Sequence, residues 1–181
     1  FVSIELQARF DEQNNIRISE KLLEEGAKVT YGLPPMKVHS KFLLIKRGNQ
    51  YFGGLSTGNF NEVTGRLYVD SILLTAHRGI TRDIATVLGI LEQTPHLATL
   101  VTPKFKHLLV SPFNSRKVLT KLILRETAKG KDGYIFFKTN HLTDSKMVKR
   151  LRDAADAGVS IDLVVRTTYA MLPHDHIRAI S

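Results

Sequence analysis

Hydrophobic and polar positions in the first hundred residues follow two periods, one typical of strands and one typical of helices. Alternation of apolar and polar side chains predicts strands over 2–6, 27–31, 38–46, 50–53 and 67–75. Helical spacing predicts a helix over 14–25 and a second one along the apolar stripe Ile80, Ile84, Val87, Leu88 and Leu91. Gly26 follows the first helix, where a left-handed residue commonly ends a helix.

The remainder of the chain alternates strands and helices in the same way. We expect strands over 108–110, 134–138 and 159–165, and helices over 114–129 and 144–157. Gly158 repeats the junction at Gly26, with an acidic helix end, a glycine and then a strand. The fold class is therefore α/β, and two similar units are expected. Residues 92–106 contain two prolines and no clear period, so we place a domain boundary near Thr102, dividing the chain into 1–102 and 103–181.

Composition narrows the class of protein. The chain has 181 residues, 43% of them hydrophobic, and no cysteine. This composition excludes disulfide frameworks and cysteine nucleophiles and favours an intracellular compartment. No apolar run approaches the roughly 20 residues that cross a bilayer. The chain begins with Phe1, without an initiator Met or a leader, and we expect it to be an excerpt of a longer protein.

Charge is distributed unevenly. The net charge is +9. Residues 1–102 carry 11 basic and 10 acidic side chains, whereas residues 103–181 carry 15 basic and 7 acidic ones. The second part is therefore the one expected to face a polyanion such as nucleic acid, polyphosphate, a nucleotide or a lipid surface. A solvated basic face without a partner is the alternative. Nucleic acid is not expected, because aromatic content is only 8% and no aromatic-rich strand for base stacking is present.

His39 and Lys41 are the candidates for chemistry. On a strand over 38–46 they would project from the same face. A neutral imidazole is a nucleophile, and a nearby ammonium group can hold phosphoryl oxygens while disfavouring the protonated imidazole. An ordinary half-exposed strand end explains the pattern equally well. The loop at 56–59, with hydroxyl and amide groups about 15 residues later, strengthens the functional interpretation.

Seven collinear segments together resemble the catalytic C-terminal region of polyphosphate kinases of the first family. They are 5–12, 37–41, 57–61, 66–70, 111–116, 138–144 and 157–166. The resemblance covers nearly the whole chain. It implies two phospholipase-D-like units, each a β-sheet flanked by helices, with the second unit incomplete.

The resemblance also implies a reaction and a set of site residues. His39 would attack the γ-phosphate of ATP, become a phosphohistidine and pass the phosphoryl group reversibly to a growing polyphosphate chain, with Lys41 beside it. Mg²⁺ is the implied cofactor, and ATP, ADP and inorganic polyphosphate are the implied partners. Arg9 stands at a magnesium-associated position, but a guanidinium has only donors, so it would act through phosphate oxygens. The remaining implied nucleotide and phosphate contacts are Tyr68, Arg166, Arg66 and Asn59.

Other readings stay open. One is a non-catalytic basic module that binds polyphosphate or nucleic acid, and another is a phospholipase-D-like phosphodiesterase. A phosphodiesterase of that kind is expected to have an aspartate five positions after Lys41, but Lys46 occupies that position here. The family also implies a second essential histidine beyond Ser181 and a longer segment after Arg166, so this excerpt is expected to be inactive alone. We further expect a cytoplasmic homo-oligomer, with peripheral association at the inner face of the membrane as an option.

Overall fold

The computed structural model describes residues 1–7, 12–93 and 102–180. The chain divides into two compact units, Phe1–Leu108 and Leu109–Ser181, which are described separately below. The boundary near Thr102 stays a prediction.

Unit 1 contains two sheets. Its elements are β1 (Val2–Ile4), α1 (Glu12–Glu24), β2 (Val29–Tyr31), β3 (Lys41–Arg47), β4 (Gln50–Ser56), α2 (Glu62–Leu67), β5 (Ile72–Thr75) and α3 (Arg78–Leu91). Strands β1 and β2 pair in parallel, whereas β3, β4 and β5 form an antiparallel sheet in chain order. Lys28, just before β2, forms an ion pair with Glu92, just after α3. This pair links the segment beside the two-stranded sheet to the end of the helix.

Helix α3 covers one face of the antiparallel sheet. Ile84 and Thr81 are buried on the helix. They lie against Gly53 of β4 so closely that a Cβ atom there would sit 2.7 Å from Ile84 Cδ1. The glycine therefore sets the distance between helix and sheet.

The end of unit 1 is held by a buried carboxylate. Asp83 Oδ2 accepts hydrogen bonds from the backbone N–H groups of Lys106, His107 and Leu108 at 2.8–3.1 Å. Two residues further along, the amide of Val110 donates to Asn114 Oδ1 at 2.7 Å. The prediction of a strand over 108–110 is wrong, because side chains rather than a neighbouring strand take these backbone donors.

Unit 2 is a parallel sheet with helices against it. Its elements are α4 (Ser115–Thr127), a single 3₁₀ turn (Gly130–Asp132), β6 (Tyr134–Leu142), α5 (Ser145–Asp156), β7 (Ser160–Tyr169) and β8 (Ile177–Ile180). The strand order is β6-β7-β8, with both pairs parallel. Its core consists of Leu142, Leu151, Ala154, Ala155, Val159, Ile161, Leu163, Val165 and Met171.

The α/β class is confirmed, with two units that each combine sheet and helices. Both helix ends predicted from glycine are confirmed, since Gly26 and Gly158 have φ of +79° and +93°. Within the described ranges, none of the helices is long and apolar enough to cross a membrane.

Candidate functional site

His39 lies in an irregular segment immediately before β3. The prediction that a strand begins at Val38 is wrong, since β3 begins at Lys41, whose register partner Ser56 is the last residue of β4. The N–H of Val38 instead donates to the carboxylate of Glu5 at 2.7 Å. His39 is therefore exposed and lies just before the first strand of the antiparallel sheet, not within it.

Lys41 nevertheless contacts the segment that carries His39. Its Nζ donates to the backbone carbonyl of His39 at 2.6 Å. The ammonium group therefore folds back toward the segment that carries the imidazole. The proximity follows from this contact and not from a shared strand face.

Desolvation and neighbouring charges determine the protonation of this pair. Partial desolvation is the largest cause of a lowered pKa at His39, and the charges of Lys41 and Lys37 lower it further. The pKa of Lys41 is also lowered, by desolvation and by Lys37, while the charge of Asp70 opposes that change. A lowered pKa keeps the imidazole neutral, which is the form that can act as a nucleophile.

The loop after β4 approaches the end of β3 where Lys41 lies. Ser56 bonds both the N–H and the carbonyl of Gly58 through its hydroxyl. The hydroxyl of Thr57 donates to Asp70 Oδ1 at 2.8 Å and accepts from the N–H of Ser71 at 3.0 Å. These contacts fix the loop as a small polar wall beside the cationic pair.

Asn59, Arg66 and Tyr68 lie on or next to α2. Asn61 caps this helix by accepting from the N–H of Thr64, and the carbonyl of Asn59 accepts from the Thr64 hydroxyl. The guanidinium of Arg66 pairs with Glu62 one turn earlier, and both side chains are exposed. Tyr68 ends the helix and is 59% exposed.

The prediction of one strand over 67–75 is therefore wrong in its first half. The cap at Asn61 starts a helix that includes Leu67, and the strand begins only at Ile72.

The two other predicted residues lie elsewhere. Arg166 is an exposed residue of β7 in unit 2. Arg9 lies outside the described residues. The roles of all seven predicted site residues stay predictions.

The residues around His39 do not fit a magnesium ion held by protein ligands alone. In the parts of the chain that the structure describes, no group of three or more His, Cys, Asp or Glu side chains is placed to hold a metal. The nearby carboxylate of Asp70 already accepts from Thr57, and Lys41 and Lys37 have no lone pair to offer when charged. Magnesium commonly reaches such sites on substrate phosphates, with few protein ligands.

Sequence reasoning missed three residues of the site. Lys37 could have been recognised, because it precedes His39 by two positions. Asp70 is adjacent to Lys41 only through the fold. Glu5 contacts a backbone group 33 residues away, and no local pattern indicates such a contact.

The fold defines an α/β protein, and its cationic histidine site is of a kind suited to phosphate chemistry. Comparison with known proteins agrees with this class. The family profile described as polyphosphate kinase C-terminal domain 1 matches residues 1–96, and the one described as polyphosphate kinase C-terminal domain 2 matches residues 108–181. The chain belongs to the polyphosphate kinase family and corresponds to its C-terminal region.

Individual relatives support the same assignment. The chain is 42% identical to a polyphosphate kinase of Vibrio parahaemolyticus and 40% identical to that of Escherichia coli K12, in each case over 99% of the chain and 27% of the relative. The crystal structure of polyphosphate kinase from Porphyromonas gingivalis matches with a TM-score of 0.79 and 38% identity, over 98% of this chain and 31% of that one. The chain thus spans about a quarter of the length of these curated relatives.

The alignments also show a difference. They extend over 192 positions, whereas this chain has 181 residues, so at least 11 aligned positions of the relatives have no counterpart here.

Proposed function

We propose that this chain carries the phosphoryl-accepting histidine of an ATP–polyphosphate phosphotransferase. His39 attacks the γ-phosphorus of ATP, a nitrogen–phosphorus bond forms, and the bond from phosphorus to the bridging oxygen breaks. ADP leaves with that electron pair. In the second step a terminal oxygen of polyphosphate attacks the same phosphorus, and His39 recovers its lone pair. Each step is reversible, because the bonds exchanged are similar phosphoryl linkages.

One observation carries this proposal: an exposed imidazole with a lowered pKa stands beside the Lys41 ammonium group. Phosphoryl transfer depends mainly on positioning and on neutralising oxygen charge, with little covalent chemistry for the protein to perform. A neutral His39 provides the nucleophile. Lys41 and Lys37 provide positive charge for the equatorial oxygens as negative charge accumulates in the transition state.

The remaining contacts are proposed from the resemblance, together with the exposure of those that the structure describes. Arg66 would exchange its exposed partner Glu62 for a phosphate oxygen, and such surface pairs contribute only about 0–1 kcal/mol. Tyr68 and Asn59 would contact the nucleotide from the same region of unit 1. Arg166, and Arg9 through phosphate oxygens, would supply further cationic contacts. Magnesium would enter bound to the nucleotide, where it neutralises phosphate charge.

A labelling experiment tests the proposal. The full-length protein is incubated with γ-labelled ATP in the absence of an acceptor and assayed for acid-labile, base-stable label. We expect label on the native protein and none on His39→Asn, with label retained by the matched surface variant His176→Asn. A native protein that binds polyphosphate but never becomes labelled would favour the non-catalytic basic module instead.

The phosphodiesterase alternative finds no support at the position where it expects a carboxylate. Lys46 occupies that position on β3, exposed, with its Nζ 5.9 Å from the centre of the Tyr51 ring. An ammonium group cannot accept a proton or orient an imidazole as a carboxylate does. We therefore propose kinase chemistry alone.

A further inference from the structure

The carboxyl ends of β6 and β7 carry a break in register. Thr139 pairs with Val165 and His141 with Thr168, so two residues of β7, Arg166 and Thr167, lie opposite the single residue Asn140. Bulges of this kind are frequent beside functional sites, where they redirect side chains. Ligands of open parallel sheets bind outside the carboxyl ends of the strands, which is where this bulge lies.

His141 is held at the bulge through one ring nitrogen. Its Nδ1 lies 2.9 Å from the hydroxyl oxygen of Thr167 and 3.2 Å from that of Thr168. The hydroxyl of Thr167 donates its hydrogen to the carbonyl of Asn140 at 2.7 Å. With its hydrogen given to Asn140, the Thr167 oxygen can only accept, so Nδ1 carries a proton and donates to it. Nε2 is the outward nitrogen of this exposed ring, and it becomes a donor in the imidazolium form, in which both nitrogens carry a proton.

The charges in this part of the sheet favour an anion. Lys138 precedes His141 on β6 and Arg166 lies in the bulge of β7, and both are exposed. The carboxylate of Asp162, toward the other end of β7, is occupied by Arg178 and by the hydroxyl of Tyr134, each at 2.7 Å.

The carboxylate of Asp144, three residues after His141, is occupied as well. Asp144 pairs with Arg116 at 2.6 Å and caps α5 by accepting from the N–H of Met147. Each of these two carboxylates therefore has a cationic partner.

We propose that His141, in its imidazolium form, is a phosphate-binding residue, whose Nε2–H donates to an oxygen of a phosphate chain held at the carboxyl ends of β6 and β7. This inference rests on the proposed function, since a nucleotide or a condensed phosphate would supply that oxygen. A phosphate oxygen is a strong acceptor, and a ring whose orientation is already fixed loses little freedom on binding it.

Two substitutions separate binding through Nε2 from mere support of the bulge. In His141→Asn the amide reaches the position of Nδ1, so contacts with Thr167 and Thr168 can persist while the outer donor is lost. In His141→Gln the longer amide reaches the position of Nε2 and keeps an outer donor. Binding of inorganic tripolyphosphate and of ADP to the full-length protein is measured separately by titration calorimetry, which distinguishes the two sources of phosphate.

We expect His141→Asn to weaken the binding of at least one of these two probes by about tenfold or more, and His141→Gln to keep most of the affinity. His176→Asn, the same change on another exposed histidine of unit 2, should leave both affinities unchanged. The proposal is overturned if neither variant affects binding, if Gln weakens it as much as Asn, or if the native protein binds neither probe. Because binding is read without phosphoryl transfer, failure of the His39 labelling test leaves this result interpretable.

Discussion

The hydroxyl of Thr57 donates to the carboxylate of Asp70 at 2.8 Å and so ties the loop after β4 to the segment that leads into β5. The same carboxylate covers Gly58: a Cβ atom on that residue would lie 2.0 Å from Asp70 Oδ2. The charge of Asp70 also opposes the lowering of the pKa of Lys41. One side chain therefore links the polar loop, the glycine and the cationic pair.

Replacing Gly58 with alanine should impair phosphoryl transfer more than folding. The added methyl group forces the Asp70 carboxylate to swing away, which breaks its bond with Thr57 and moves its charge relative to Lys41. We expect the rate of His39 labelling to fall roughly tenfold to a hundredfold, the effect of a displacement of about 1 Å in a reacting site. Rapid-quench labelling of the full-length protein measures this rate.

Gly65→Ala is the matched control for that change. Nothing lies within 4 Å of a Cβ atom at Gly65 in α2, so labelling should be unaffected and the helix slightly more stable. Equal labelling rates for Gly58→Ala and Gly65→Ala would show that the position of Asp70 does not matter for the reaction.

Lys37→Gln should change the pH dependence of labelling. The charge of Lys37 lowers the pKa of His39, so its removal raises that pKa toward the ordinary value. A raised pKa means that His39 becomes protonated at higher pH. The acid limb of the rate profile should therefore shift to higher pH. Loss of the Lys37 charge also lowers the rate at every pH, so the diagnostic quantity is the ratio of the rate at about pH 6 to the rate at about pH 8. That ratio should fall below the native ratio, as expected for loss of the unprotonated nucleophile.

Lys46→Gln provides the comparison, because it removes the same charge from the far end of β3. Its profile should coincide with that of the native protein. An acid limb of Lys37→Gln that stays in place or moves to lower pH would contradict the proposed electrostatic role.

Gly53→Ala tests the packing of α3 on the sheet. The new methyl group would lie 2.7 Å from Ile84 Cδ1 and 3.3 Å from Thr81 Cγ2, both in the buried layer. Overpacking of this kind costs about 1–3 kcal/mol. Hydrogen exchange of the α3 amides in the full-length protein should therefore accelerate.

Gly89→Ala changes the same helix without a clash, since nothing lies within 4 Å of that position. Its α3 amides should exchange at the native rate or more slowly, because alanine favours the helix by about 0.5–1 kcal/mol over glycine. Unchanged exchange in Gly53→Ala would show that the helix does not pack on β4 as described.

The fold was predictable where local periodicity and packing agree. The stripe ending at Leu91 became α3, and Gly26 and Gly158 end helices with positive φ. The prediction failed where a distant side chain takes the backbone donors. Glu5 delays the start of β3, and Asp83 holds the segment predicted as a strand at Leu108. No local pattern reveals such long-range competitors.

In the candidate site, too, local spacing could be read from the sequence, whereas long-range contacts could not. His39 and Lys41 could be proposed from their spacing and the resemblance, and Lys41 contacts the backbone carbonyl of His39, but their roles stay predictions. The polar wall built by Thr57 and Asp70 depends on a 13-residue separation closed by the fold, so the sequence pattern alone could not assign it.

Direct mapping of the phosphoryl group tests the central claim. The full-length protein is labelled with γ-labelled ATP, digested under alkaline conditions that preserve phosphohistidine, and the modified peptide is sequenced by mass spectrometry. The account predicts the added phosphoryl group on His39, and its transfer to polyphosphate when acceptor is supplied. Label on any other residue, or labelled His39 that cannot pass its phosphoryl group to polyphosphate or back to ADP, would contradict it.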